Sequence, residues 1–244
     1  MKRPKTLLFP LFILLGLQAC RNEAPTMGGT DAPSMTREKP APASGAERPA
    51  PKSGAGNFEA LVADYESQDR VIWQKPGMVI ALLGDLKGKT VADIGAGTGY
   101  FTFRMVPLAD KVIGVDIDPR FIAFMDSIKV RLPNQYRDRF ESRLAKPDDP
   151  MLKPLEADAV VIVNTYGYIE NRVRYLQTLA KGVKPGGDLL IIDFKKNNLP
   201  IGPPDEYKVS LSEVERELAA SGFEVAKVDR ASLDYQYIIL AKKK

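Results

Sequence analysis

The chain contains no histidine, one cysteine and one tryptophan among its 244 residues. Histidine is the side chain most often used as a general base and as a metal ligand, so neither role can be filled in the commonest way. A single cysteine excludes a disulfide within the chain and a thiolate-rich metal cluster, and no metal is expected. Excess charge is scarce as well. The formal net charge is +4, and without Lys2, Arg3 and Lys5 at the N-terminus it falls to +1. A near-neutral body carries no electrostatic footprint for nucleic acid, so no such partner is expected. The apolar run from Leu7 to Leu17 has eleven residues, well short of the ~20 that span a bilayer as a helix. No internal repeat and no second domain are visible.

What is present begins with a leader. A basic start, the apolar run and Gln18-Ala19-Cys20 have the proportions of a secretory signal peptide over residues 1–20. Leu17-Gln-Ala-Cys20 resembles the bacterial lipobox, and that resemblance implies a lipidated Cys20. The protein would then be anchored in the cell envelope, with its domain on the periplasmic side of the inner or outer membrane. A plain signal peptide with an incidental cysteine is the alternative. Residues 21–57 are rich in Ala, Pro, Gly and Ser without apolar periodicity, which predicts a disordered, semi-extended tether. The globular pattern starts after it and occupies residues 58–244.

Residues 90–118 organise that domain. Val91 to Ile94 read as a buried strand that breaks into Gly95-Ala96-Gly97-Thr98-Gly99 and then a helix. Alternating glycines permit positive φ and let a ligand lie against the backbone, while the start of a helix offers unpaired amides. A second apolar strand, Val112 to Val115, ends in Asp116. An acid at that tip is placed to accept hydrogen bonds from both ribose hydroxyls. Tyr100 stands where a dinucleotide fingerprint needs its third glycine, and no Lys-Ser/Thr pair follows to make a P-loop. Asp93 would repel a pyrophosphate but suits an ammonium. S-adenosylmethionine carries an ammonium, a sulfonium and no phosphate.

With these residues in view, the chain resembles the class I S-adenosylmethionine-dependent methyltransferases. Asp93-Ile-Gly-Ala-Gly-Thr-Gly99 matches their glycine motif, and Val115-Asp-Ile-Asp118 matches their acidic motif. The resemblance implies S-adenosylmethionine as cofactor. The turn formed by Asp93, Gly95, Ala96, Gly97, Thr98 and Gly99 would cradle its methionine part. Asp116 would bind the ribose, Ile117 would pack on the adenine and Asp148 would meet the adenine amino group. The backbone around Asn164 would approach the sulfur.

The remaining pattern fits the same architecture. Helices are expected over 58–65, 75–83, 120–130, 172–182 and 211–221, with strands at 140–144 and 157–163. Lys184-Pro-Gly-Gly187 reads as a tight turn into another strand, and 223–230 with 235–241 as a closing hairpin. The fold class is therefore α/β: a seven-stranded, mostly parallel, Rossmann-like sheet with helices on both faces and an antiparallel C-terminal hairpin. Tyr166, Tyr168, Asp193 and Lys195 either face a methyl acceptor or pack. No catalytic residue is assigned. Three readings stand: a membrane-tethered methyltransferase acting on an unidentified small molecule or protein, a non-catalytic module of the same fold, and a nicotinamide-dependent oxidoreductase. Oligomeric state is not legible.

Overall fold

The apolar runs become the middle of one sheet. The computed structural model describes residues 57–244; the leader, the Cys20 site and nearly all of the expected tether lie outside them. Three helices come first, α1 (Phe58–Tyr65), α2 (Arg70–Gln74) and α3 (Pro76–Ala81), followed by β1 (Thr90–Ile94) and α4 (Thr102–Met105). Next are β2 (Lys111–Asp116), α5 (Pro119–Lys129), α6 (Asn134–Arg137), β3 (Phe140–Leu144) and β4 (Ala157–Val163). The chain ends with α7 (Arg172–Gly182), β5 (Val183–Phe194), α8 (Leu211–Ala220), β6 (Phe223–Asp229) and β7 (Gln236–Lys243).

The seven strands lie in the order β3-β2-β1-β4-β5-β7-β6. All neighbours pair in parallel except β7, which runs antiparallel to both β5 and β6. Chain order reverses direction across the sheet between β1 and β4. In open α/β sheets the crevice beyond the strand C-termini at such a switch point is where ligands bind.

β4 shows why its sequence is apolar almost throughout. Ala157, Val160 and Ile162 enter the core on one face, and Ala159, Val161 and Val163 enter it on the other. A parallel strand covered by helices on both faces has no side to give to water. Each fully buried aliphatic side chain of this kind contributes about 1.5–3 kcal/mol.

Local signals fix the helix starts. Asn57 Oδ1 accepts from the Glu59 and Ala60 amides at the head of α1. Asp118 caps α5 ahead of Pro119, and Ser210 caps α8 by accepting from the Glu213 amide. Three expectations shift. The helix after the glycines is a single turn, α4, that begins only at Thr102. Lys184-Pro-Gly-Gly187 is a bulged excursion within β5 rather than a separate turn, because the pairing jumps from Ala157↔Val183 to Ala159↔Asp188. The short helices α2 and α6 were not anticipated. Among the described residues no helix is long and apolar enough to cross a membrane.

Candidate functional site

A cavity of about 590 Å³ opens beyond the C-terminal ends of β1, β2 and β4, a size within the ~300–1,000 Å³ of small-molecule sites. Its floor is the glycine turn. Gly95, Gly97 and Gly99 have φ of 70°, 56° and 82°, a region that costs other L-residues roughly 1–2 kcal/mol each. The Gly95 and Ala96 amides both donate to Val115 O, at 2.8 and 3.0 Å. The turn is thereby fastened to the end of β2.

Asp116 completes that fastening. Its Oδ2 accepts from the Gly97 amide at 2.8 Å and its Oδ1 from the Asp118 amide at 2.9 Å. The carboxylate is buried yet forms part of the cavity wall. Burial pushes its pKa upward, and the backbone amides that it accepts from oppose the rise. Two bonds leave lone pairs on both oxygens, so the group still has room to receive a vicinal diol.

Of the ten residues expected to hold a cofactor, Gly95, Gly97, Asp116, Ile117 and Asn164 line this cavity. Ala96, Thr98 and Gly99 form the turn but not the wall. Thr98 Oγ1 donates to Glu66 Oε1 at 2.5 Å, which ties the turn to the segment after α1. Asp93 also stands outside the wall. Strand side chains alternate, so Asp93 shares a face with Val91 and is carried under α4, where Thr102 Oγ1 donates to its Oδ2 at 2.6 Å. Burial raises its carboxyl to about 6, against the pull of the Thr102 hydroxyl and the Arg70 charge. Asp148 is exposed, and its neighbours Lys146 and Pro147 line the cavity in its place.

Other wall residues came from segments without a motif. Tyr65 lies over the turn: a Cβ on Gly97 would sit 3.0 Å from its ring. Tyr65 stacks on Phe121 with centroids 5.5 Å apart, and Phe58 packs on Phe121 at 5.1 Å. Thr165, directly after Asn164, presses on the other side, 2.3 Å from where a Gly95 Cβ would be. No sequence signal marked Tyr65 or Thr165.

The side chains considered for an acceptor are engaged elsewhere, apart from Tyr168 in the cavity wall. Tyr166 is buried and donates to Glu217 Oε2 at 2.6 Å, and Arg172 Nε donates to the same carboxylate. Asp193 is buried, with Oδ1 accepting from the Phe194 amide and Oδ2 from the Gly167 amide. Lys195 Nζ donates to the Leu233 and Asp234 carbonyls. Trp73 packs on Phe194 at 5.8 Å, and Tyr168 pairs with Tyr207 at 4.9 Å.

The arrangement can hold a nucleoside: a backbone cradle, a diol-accepting carboxylate and, at Ile117, an exposed apolar side chain for a base. Comparison with known proteins agrees. Residues 92–189 match the family model described as a methyltransferase domain. The ribosomal protein L11 methyltransferase of Vibrio cholerae is 40% identical over 107 residues, 43% of this chain and 33% of that protein. The tRNA U34 carboxymethyltransferase of Shewanella putrefaciens is 29% identical over 140 residues, 51% of this chain and 38% of that protein. The chain thus spans about a third of the length of these curated relatives. A SAM dependent methyltransferase from Aquifex aeolicus superposes with a TM-score of 0.71 at 22% identity, covering 78% of this chain and all of that one. The fold is that of the class I methyltransferases, and sequence and fold together support a methyltransferase domain.

Proposed function

We propose that this protein is an S-adenosylmethionine-dependent methyltransferase, tethered to a membrane of the bacterial envelope through a lipidated Cys20. The observation that carries the cofactor reading is Asp116: a buried carboxylate in the cavity wall, hydrogen-bonded to the glycine turn through Gly97. Asp116 holds the ribose diol, the backbone of Gly95 to Gly97 supports the methionine part, and Ile117 covers the adenine. When bound, the cofactor supplies an electrophilic methyl group on a sulfonium, whose departure needs no proton.

The protein's part in such a displacement is to position two molecules and exclude water, which can contribute several kcal/mol through orientation alone. Tyr65, Leu61 and Phe121 wall one side of the cavity, and Asn164, Thr165 and Tyr168 wall the other. The acceptor enters between these walls. Its class, small molecule or protein, is set by the loop after β5, which carries three prolines between Asn198 and Asp205, and Pro200, Pro203 and Pro204 stiffen it.

Calorimetry with S-adenosylmethionine, S-adenosylhomocysteine and NAD tests the reading on the full chain. Binding of the first two and not the third is expected. Binding of NAD alone would return the protein to the oxidoreductases. The engagement of Tyr166, Asp193 and Lys195 by other groups favours a second reading, a binding module that keeps the fold without turnover. Release of S-adenosylhomocysteine in the presence of envelope extract from the source cell decides between them. For the anchor, metabolic lipid labelling is lost in Cys20→Ser; labelling that persists removes it.

A further inference from the structure

Asn164 ends β4 in a left-handed conformation, φ 57°, and its side chain ends a relay of three carboxamides. The relay starts at Arg70, a buried guanidinium that can donate hydrogen bonds but not accept them. Arg70 Nε donates to Gln74 Oε1 at 2.5 Å, which turns Gln74 Nε2 the other way. That nitrogen donates to Gln236 Oε1 and to Asn164 Oδ1, each at 3.2 Å. With its oxygen committed to Gln74, Gln236 offers Nε2 to Asn164 Oδ1 as well. Asn164 Oδ1 therefore faces two donors, and the amide cannot be flipped without setting nitrogen against nitrogen. Asn164 Nδ2 is left as the open end: a buried donor with no hydrogen-bond partner, on a residue of the cavity wall. Buried polar groups are ordinarily paired, and an orphan in a binding cavity calls for a ligand atom.

We infer that Asn164 Nδ2 is the donor for the carboxylate of the cofactor's methionine part, an assignment that rests on the S-adenosylmethionine reading above. In that part of the molecule the ammonium has only protons to give and the sulfonium is a cation. The carboxylate alone accepts. The Arg70 charge behind the relay favours the same sign. Asp93, the side chain that the sequence offered to the ammonium, is turned under α4 and stands outside the wall. The relay thus sets which end of the amino-acid group points at β4.

The test uses two probes, S-adenosylhomocysteine and its decarboxylated derivative, titrated calorimetrically into the full chain. The wild type prefers the carboxylated probe by about tenfold or more, the effect of one charge-assisted hydrogen bond. Asn164→Asp, which tolerates the left-handed backbone, replaces the donor by an acceptor and brings the ratio to about one or below. Gln74→Glu acts from behind the wall. Its second oxygen accepts from Asn164 Nδ2, turns Oδ1 toward the cavity and lowers the same ratio, which keeps the test alive if Asn164→Asp does not fold. A wild-type ratio near one overturns the assignment, as does a ratio unchanged in both folded variants. Failure of the wild type to bind either probe overturns the cofactor reading itself.

Discussion

Asp116 Oδ2 accepts the Gly97 amide hydrogen at 2.8 Å, so the tip of β2 and the glycine turn form one unit. Asp116→Ala removes that bond, the bond from the Asp118 amide and, on the proposed reading, the contact with the ribose together. Affinity for S-adenosylhomocysteine falls by about 1–3 kcal/mol, measured by calorimetry. An unchanged affinity in a folded variant takes Asp116 out of the site.

The turn itself admits little. Gly97→Ala places a methyl group 3.0 Å from the Tyr65 ring on a backbone with φ of 56°. The variant loses about 1–2 kcal/mol of stability to the left-handed conformation, and its cofactor affinity falls because the new methyl intrudes on the wall. Thermal unfolding reads the first effect and calorimetry the second. Retention of both wild-type values would show that the turn has slack.

Tyr65→Ala probes the side of the cavity built from α1. That helix contributes no buried residue, and its rings pack on Phe121 and Phe124 of α5. Loss of the stacked pair costs about 0.5–1.5 kcal/mol. Proteolysis between Phe58 and Ser67 accelerates in the variant, and bound S-adenosylhomocysteine slows it again. Equal cleavage rates with and without ligand would separate α1 from the binding site.

Asp93 gives a pH signature. Its carboxyl titrates at about 6 in the folded protein against 3.8 as the ordinary value, with burial as the leading cause, opposed by Thr102 and Arg70 and reinforced by the Asp116 charge. The native state keeps a proton there that the unfolded chain releases. The resulting stabilisation is complete below the unfolded value and is lost as pH rises through about 6. Asp93→Asn abolishes this titration. Relative to wild type, its unfolding free energy rises by about 1–3 kcal/mol between about pH 4 and about pH 7. Denaturant unfolding at several pH values checks the slope, and a constant offset contradicts it.

Much of the frame was legible because adjacent residues determine it. Val112 to Val115 carry nothing polar, and Val91 to Ile94 are apolar at every position but Asp93, which marks both as strands covered on both faces. Asp116 could be placed because its role follows from standing at the end of one of them. Asp93 shows where local reading stops: alternation says that it opposes Ala92 and Ile94, but not which face α4 will cover. The same holds for Asp148, one residue from the Pro147 that lines the cavity. Tyr65 and Gln236 reach the site from far along the chain. Gln236 meets Asn164 across 72 positions, with β5 and the antiparallel return of β7 between them, and no short window contains that geometry.

A Cβ on Gly167 would lie 1.8 Å from the Tyr207 carbonyl oxygen. The stretch after β4 and the proline-bearing stretch after β5 therefore meet backbone to backbone, with no clearance for even a methyl group. Anyone transplanting the 195–208 segment into another scaffold of this kind, or exchanging it in this one, has to carry the glycine with it. The seam, more than the composition of either stretch, determines which exchanges can be accommodated.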